Sequence, residues 1–214
     1  MDINWYGQAC FKIKGKNASV VIDPFDPEFT GLKSPKDLEA DVVLSTHNHG
    51  DHNNTGAVSG NPLVITGAGE YEKQGVSING VSVFHDNSEG SERGVNTVFH
   101  ILIDGVNIVH LGDLGHILTD EQTSQIDACD ILMIPVGSVY TIDAEAAAKV
   151  VAQLEPRIVI PMHYKIDGLK FELEGVEAFL KEMGAETVSP LPKLSITKDK
   201  LPEETMVIVL AKAS

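Results

Sequence analysis

The amino-acid sequence predicts a mixed α/β fold in which two sheets are covered by helices. Three observations carry that reading. Short β-rich runs joined by Gly-containing turns fill the first half of the chain. All-apolar runs alternate with helical patterns in the last third. No low-complexity linker and no fixed-period repeat divides the 214 residues, so residues 1–214 read as one domain.

Ile3–Tyr6, Ala9–Lys14 and Ser19–Asp23 carry β-branched and aromatic residues, and turns such as Gly15-Lys16-Asn17 separate them. Val20-Val21-Ile22-Asp23-Pro24-Phe25 predicts a buried strand that stops at the proline. Asp41–Ser45 predicts a strand running straight into a His-rich loop, and Pro62–Thr66 predicts another. Val76–Ile78 and Val81–His85 flank Asn79-Gly80, a dipeptide that tolerates the positive φ angles of a tight turn, so a hairpin is expected there. Thr97–Ile103 and Val106–Leu111 flank Asp104-Gly105 and predict a second hairpin, with polar Asp86–Gly94 as a loop before it. Asp120–Ile126 and Asp143–Leu154 predict helices, the second opened by Asp143, whose carboxylate can accept from free first-turn N–H groups. Ile131–Pro135 and Ile158–Pro161 are apolar throughout, the pattern of strands covered on both faces. Glu172–Met183 reads as an amphipathic helix closed by Gly184, although Gly175 weakens its first turn. Met206–Ala211 reads as a final strand.

A formal net charge of −15 removes the electrostatic drive for binding nucleic acid or anionic membrane. The acidic residues are spread along the chain, so most serve as a solvated face. No run approaches the roughly 18 apolar residues of a membrane span. Met1-Asp2-Ile3-Asn4-Trp5 lacks the basic and apolar regions of a secretory signal, so a cytoplasmic location is expected. Cys10 and Cys129 stand in different segments and read as reduced, packed thiols.

The chemistry concentrates in His47-Asn48-His49-Gly50-Asp51-His52. His47 and His49 are two apart, so on an extended segment their rings point the same way. Asp51 and His52 follow where the chain turns. Three imidazoles and a carboxylate at a strand's carboxyl end suit Zn²⁺. The bland alternative is a polar loop in which histidines cluster by chance. The scarcity of histidine and the rigid strand behind the cluster weigh against it.

His47-x-His49-x-Asp51-His52 after an apolar strand resembles the signature of the metallo-β-lactamase superfamily. Trp5-Tyr6-Gly7-Gln8-Ala9-Cys10-Phe11, Ile22-Asp23-Pro24-Phe25 and His110-Leu111-Gly112-Asp113 add to the resemblance, as do Ile134-Pro135-Val136-Gly137 and Ile160-Pro161-Met162-His163-Tyr164. Together these motifs are similar to those of a small single-domain branch that includes L-ascorbate-6-phosphate lactonase-like proteins. The resemblance implies a four-layer αββα sandwich with two metals at one edge of the sheets. It implies that His47, His49 and His85 hold one metal, that Asp51, His52 and His163 hold the other, and that Asp113 bridges both. The cofactors implied are two divalent ions, zinc first, with manganese or iron as alternatives.

The reaction implied is attack by a metal-bridging hydroxide on a small ester, lactone or phosphoester. Catalytic roles fall to Asp113 and to Asp51, which orients the nucleophile and takes up its proton. That branch often has a His where this chain has Gln8. There is no inserted RNA-binding domain of the kind found in the family's processing nucleases. A small-molecule substrate is therefore expected, while homo-oligomerisation is left open. Alternatives are a phosphodiesterase or nuclease-type hydrolase, an iron enzyme of redox or oxygen chemistry, and a non-catalytic metal-binding module.

His110 and His116 compete with His85 for the third ligand position. By period-two counting His110 points away from a metal that Asp113 touches, whereas His116 lies in the following loop. His100 reads as a packed strand residue. Asp23 reads either as an acceptor for a ligand histidine's second N–H or as a strand-end cap. Tyr164 reads as an oxyanion donor or a packing residue, and Ser138, Tyr140 and Thr141 as pocket wall.

Overall fold

A computed structural model describes residues 1–36 and 38–214. The chain opens with β1 (Asp2–Gly7), β2 (Cys10–Lys14) and β3 (Ser19–Ile22), then the single-turn helix α1 (Pro27–Thr30), β4 (Val42–Leu44) and β5 (Leu63–Ile65). A run of strands follows: β6 (Gly69–Lys73), β7 (Val76–Phe84), β8 (Val95–Ile103) and β9 (Val106–His110). Helices then alternate with strands, as α2 (Asp120–Ile126), β10 (Ile131–Pro135), α3 (Ala144–Leu154), β11 (Ile158–Met162) and α4 (Glu177–Glu182). Short strands β12 (Leu194–Ser195) and β13 (Met206–Val207) complete the order.

These strands form two mixed sheets, and with the few helices they make the expected α/β sandwich. The first runs β12-β1-β2-β3-β4-β5, antiparallel up to β3 and parallel from β3 to β5. The second runs β13-β11-β10-β9-β8-β7-β6, parallel up to β9 and antiparallel beyond. In β1, Ile3 and Trp5 are buried while Asn4 and Tyr6 are not, as a strand with one core face requires. β10 and β11 are buried at every position, which matches their unbroken apolar sequence. Residues of both sheets, including Trp5, Phe11, Leu44, Phe99 and Ile108, join in one buried cluster. Each such large side chain contributes about 1.5–3 kcal/mol by leaving water.

The helices pack on the second sheet, α2 against β7 and α3 against β10, with α4 against α3. Thr119 and Gln122 form a reciprocal capping box at the start of α2, and the Asp143 carboxylate accepts from the Ala146 N–H at the start of α3. Among the described residues, no helix is long and apolar enough to cross a membrane.

Two sequence expectations are corrected. Asn79-Gly80 is not a turn, because β7 continues through it and pairs Gly80 with both Gly69 and Phe99. The turn falls instead at Gln74 and Gly75, with φ of 51° and 79°, and brings in β6, a strand the sequence did not announce. Gly80 is needed for contact: a Cβ there would stand 2.9 Å from the Gly67 carbonyl oxygen. The helix expected over Glu172–Met183 begins only at Glu177. Glu174 is held outside the helix, its N–H donating to the Gly137 carbonyl and its own carbonyl accepting from Lys165 N, so local helix propensity is overridden.

Candidate metal centre

The site lies beyond the carboxyl ends of several strands. β4 leads to His47, His49, Asp51 and His52; β7 leads to His85; β9 leads to Asp113; β11 leads to His163. β7, β9 and β11 point the same way in their sheet, so their following loops converge. Gly112 makes the sharp departure after β9 possible. Its φ is 54°, and a Cβ there would stand 2.3 Å from Asn96 Oδ1.

All seven predicted site residues come together. His47, His49 and His85 offer ligand atoms within 4.8 Å of one another, and Asp51, His52, Asp113 and His163 do the same. Asp113 Oδ2 joins the groups, lying 3.3 Å from the Nε2 atoms of His52, His85 and His163 and 4.0 Å from that of His47. Asp51 Oδ2 lies 3.4 Å from His52 Nε2 and 3.5 Å from His163 Nε2. His47 Nε2 faces His49 Nδ1 at 3.0 Å.

Buried hydrogen bonds fix the rings. Asp23 Oδ2 lies 2.8 Å from His52 Nδ1 and accepts from Thr46 Oγ1 at 2.8 Å, while Asp23 Oδ1 accepts from Thr46 N. Because Thr46 Oγ1 gives its proton to Asp23, it can only accept from His47 Nδ1, 3.0 Å away. His52 and His47 thereby keep a proton on Nδ1, which leaves Nε2 as the atom each ring would offer to an ion in the cluster. Both readings offered for Asp23 hold, since the same carboxylate caps the strand end and orients His52.

Residues 2–163 match the beta-lactamase superfamily domain. The UPF0173 metal-dependent hydrolase of Thermoplasma volcanium is 34% identical over 206 residues, covering 80% of this chain and 91% of that protein. That of Thermococcus onnurineus is 34% identical over 193 residues, covering 77% and 84%. A metallo-beta-lactamase superfamily protein of Thermotoga maritima has a solved structure that superposes with a TM-score of 0.81, at 38% identity over 98% of this chain and 97% of that one. The chain belongs to the UPF0173 metal-dependent hydrolase family of the metallo-beta-lactamase superfamily.

The donor set of this UPF0173 member fits a cation. His52 Nε2, His163 Nε2 and Asp113 Oδ1 are buried without a hydrogen-bond partner, an arrangement that is costly unless an ion completes it. Electrostatics point the same way. Burial disfavours a charged His52, yet the carboxylates of Asp113, Asp51 and Asp23 outweigh it and raise its pKa well above the ordinary value. In the metal-free chain, therefore, a positive charge is drawn to this point. Burial pushes the His47 imidazole down to about 2, helped by the neighbouring histidines, so its ring stays neutral and able to ligate. Burial would raise Asp113 and Asp51, but nearby histidines hold both carboxyls below their usual range.

The competitors of His85 are occupied elsewhere. His110 Nε2 faces the Ala9 carbonyl at 2.9 Å and its Nδ1 accepts from Gly112 N, while His116 Nε2 accepts from Phe84 N. His100 is a partly buried strand residue whose Nε2 lies 3.0 Å from Asn107 Oδ1. Tyr164 is buried against Trp5 at 5.1 Å between ring centroids and does not line the central cavity. Tyr140 does line it, whereas Ser138 and Thr141 line a neighbouring one.

Sequence reasoning missed five contributors. Asn96 is fully buried, donates to the Leu111 carbonyl and accepts from Asp113 N, fixing the Asp113 loop. Its signal was a lone amide heading an apolar strand. Thr46 stood directly before His47 and was legible only as loop. Phe29, Phe171 and Arg93 line the cavity from separate segments, and nothing in their local sequence marks them.

Proposed function

We propose that this chain is a dinuclear metal-dependent hydrolase acting on a small ester, lactone or phosphoester. The observation that carries the reading is Asp113: one carboxylate oxygen lies within 4.0 Å of ring nitrogens from both ligand groups. An oxygen so placed would suit a carboxylate shared by two cations, which supports the dinuclear reading. His47, His49 and His85 would hold one ion, and Asp51, His52 and His163 the other. Nitrogen and oxygen donors favour zinc and also admit manganese or iron.

When bound, two divalent cations would supply Lewis acidity, lowering the pKa of water toward about 7 and stabilising negative charge on a substrate oxygen. Asp51 lines the cavity, where its carboxylate would orient the attacking water by accepting its hydrogen bond and take up the proton in passing. Gln8 Nε2, donating to Asp51 Oδ2 at 3.3 Å, holds that carboxylate in place. Thr46 and Asp23 keep His47 and His52 in their ligating tautomers. The cavity above the cluster, about 310 Å³, is of a size for a small molecule.

The test is a panel of lactones, aryl esters and bis(4-nitrophenyl) phosphate, assayed with the purified chain and with Asp51→Ala and His52→Ala. Both variants are expected to lose hydrolysis while keeping the circular dichroism of the parent. Undiminished turnover by either would sink the assignment. Elemental analysis of protein purified without added metal separates zinc from iron, since stoichiometric iron with a visible absorption band would favour an oxidoreductase.

A further inference from the structure

The cavity mouth is built from side chains that no ligand role absorbs. Phe29 on α1, Phe171 and Tyr140 form an arc, with ring centroids 6.0 Å apart from Phe29 to Phe171 and 6.2 Å from Phe171 to Tyr140. Phe29 is 52% exposed and Tyr140 37% exposed. Phe171 packs partly on the cluster of Cys10, Phe25, Leu32, Leu169 and Leu173. Phe29 and Tyr140 are left in water and forgo such burial, so packing does not account for those two rings. Gly50, inside the His-rich loop, lets the frame close down on the cluster: a Cβ there would stand 2.8 Å from the Phe29 ring.

Beyond Tyr140 stands Arg93, its guanidinium carbon 5.7 Å from that ring's centroid, a cation–π distance. Among the described residues it is the one lysine or arginine lining the cavity, in a chain with formal charge −15. Among the described residues its only ion-pair partner is the exposed Glu92, 3.7 Å away. Arg93 is nevertheless held firmly in position. Its backbone N–H and those of Ser88, Gly90 and Glu92 all donate to the Asp86 carboxylate at 2.8–3.1 Å. Asp86 directly follows His85, so the segment that enters the metal cluster also holds the backbone from which Arg93 reaches the mouth.

We infer that this mouth selects a small substrate with an aromatic or otherwise apolar body and a single negative charge, the body held by Phe29, Phe171 and Tyr140 and the charge, as on a carboxylate, by Arg93. A single charge is what one guanidinium already close to Glu92 can balance, and its planar donors match a carboxylate's two oxygens. The inference rests on the hydrolase reading for the bond that is cleaved, but not for the binding itself.

The test is calorimetric titration of the zinc-loaded full chain with 3-phenylpropionate, its uncharged amide, and acetate. The carboxylate is expected to bind about tenfold tighter than the amide, the scale of one charge-assisted contact. Arg93→Gln, which leaves the backbone bonds to Asp86 in place, should erase that preference, while Arg93→Lys should keep part of it. Phe171→Ala should weaken 3-phenylpropionate and leave acetate unchanged. A preference that survives Arg93→Gln would overturn the inference, because the anion would then sit on the metals; so would 3-phenylpropionate binding no tighter than acetate. Turnover of 4-nitrophenyl esters is measured separately. Its absence there and on the lactones and bis(4-nitrophenyl) phosphate, with the binding pattern intact, would refute the hydrolase reading and leave this one standing.

Discussion

Replacing Asp23 by Asn removes one charge and reverses one hydrogen-bonding group without straining the backbone, since asparagine tolerates the φ of 48° found there. The retained carbonyl oxygen still accepts from Thr46 N, but an NH₂ group now stands where Oδ2 accepted from Thr46 Oγ1 and His52 Nδ1, each at 2.8 Å. His52 can accept that NH₂ only by moving its proton to Nε2, the atom that faces Asp51 and Asp113. A reversed Thr46 hydroxyl likewise forces His47 toward its Nε2–H tautomer. Partners of this kind hold about 10–100-fold in metal affinity, or roughly 1.4–2.8 kcal/mol. The assay is zinc competition against a chromophoric chelator, with parent and Asp23→Asn compared at one pH. A variant affinity within twofold of the parent's would refute the tautomer argument.

Gly112→Ala should lower stability by about 2–5 kcal/mol, adding left-handed strain to a clash with Asn96 and Thr46, and should reduce metal content; thermal unfolding and elemental analysis check both. Gln8→Ala should reduce kcat by about tenfold with a smaller change in KM, because a neutral donor that orients Asp51 is lost while the backbone bonds of Gln8 to Trp5 and His163 remain. Equal kcat in steady-state assays would contradict that role.

Asp130 gives a pH-dependent case away from the site. Burial raises its carboxyl, but bonds from Asn107 and Lys198 outweigh burial and hold it below the usual range. A depressed folded pKa gives stability that is present above the unfolded value of about 3.9 and lost as pH falls through the folded one. Asp130→Asn should therefore cost about 1 kcal/mol at pH 7, after solvent screening, and progressively less below about pH 4, as read by urea unfolding. An equal cost at pH 7 and pH 3 would contradict the assignment.

What the sequence made legible follows from locality. His47 through His52 form one short run that stands out by itself, whereas His85, Asp113 and His163 became candidates through the family resemblance, each being found in order after a strand with a self-contained apolar pattern. The capping of α3 by Asp143 is local in the same way. Asn79-Gly80 misled because turn propensity yields to pairing on both sides of β7. Helix α4 starts late because Glu174 is committed to distant backbone partners. The cavity frame was illegible for a related reason. Phe29, Arg93, Tyr140 and Phe171 are far apart in sequence, and only the converging loops bring them to one mouth.

The central claim is that Asp113 joins two cations in one site. It is tested most directly by counting zinc per chain after reconstitution and exhaustive dialysis, in the parent and in Asp113→Ala. The account predicts two equivalents in the parent and fewer than one in the variant. A parent that retains no more than one, or a variant that keeps both, would contradict it.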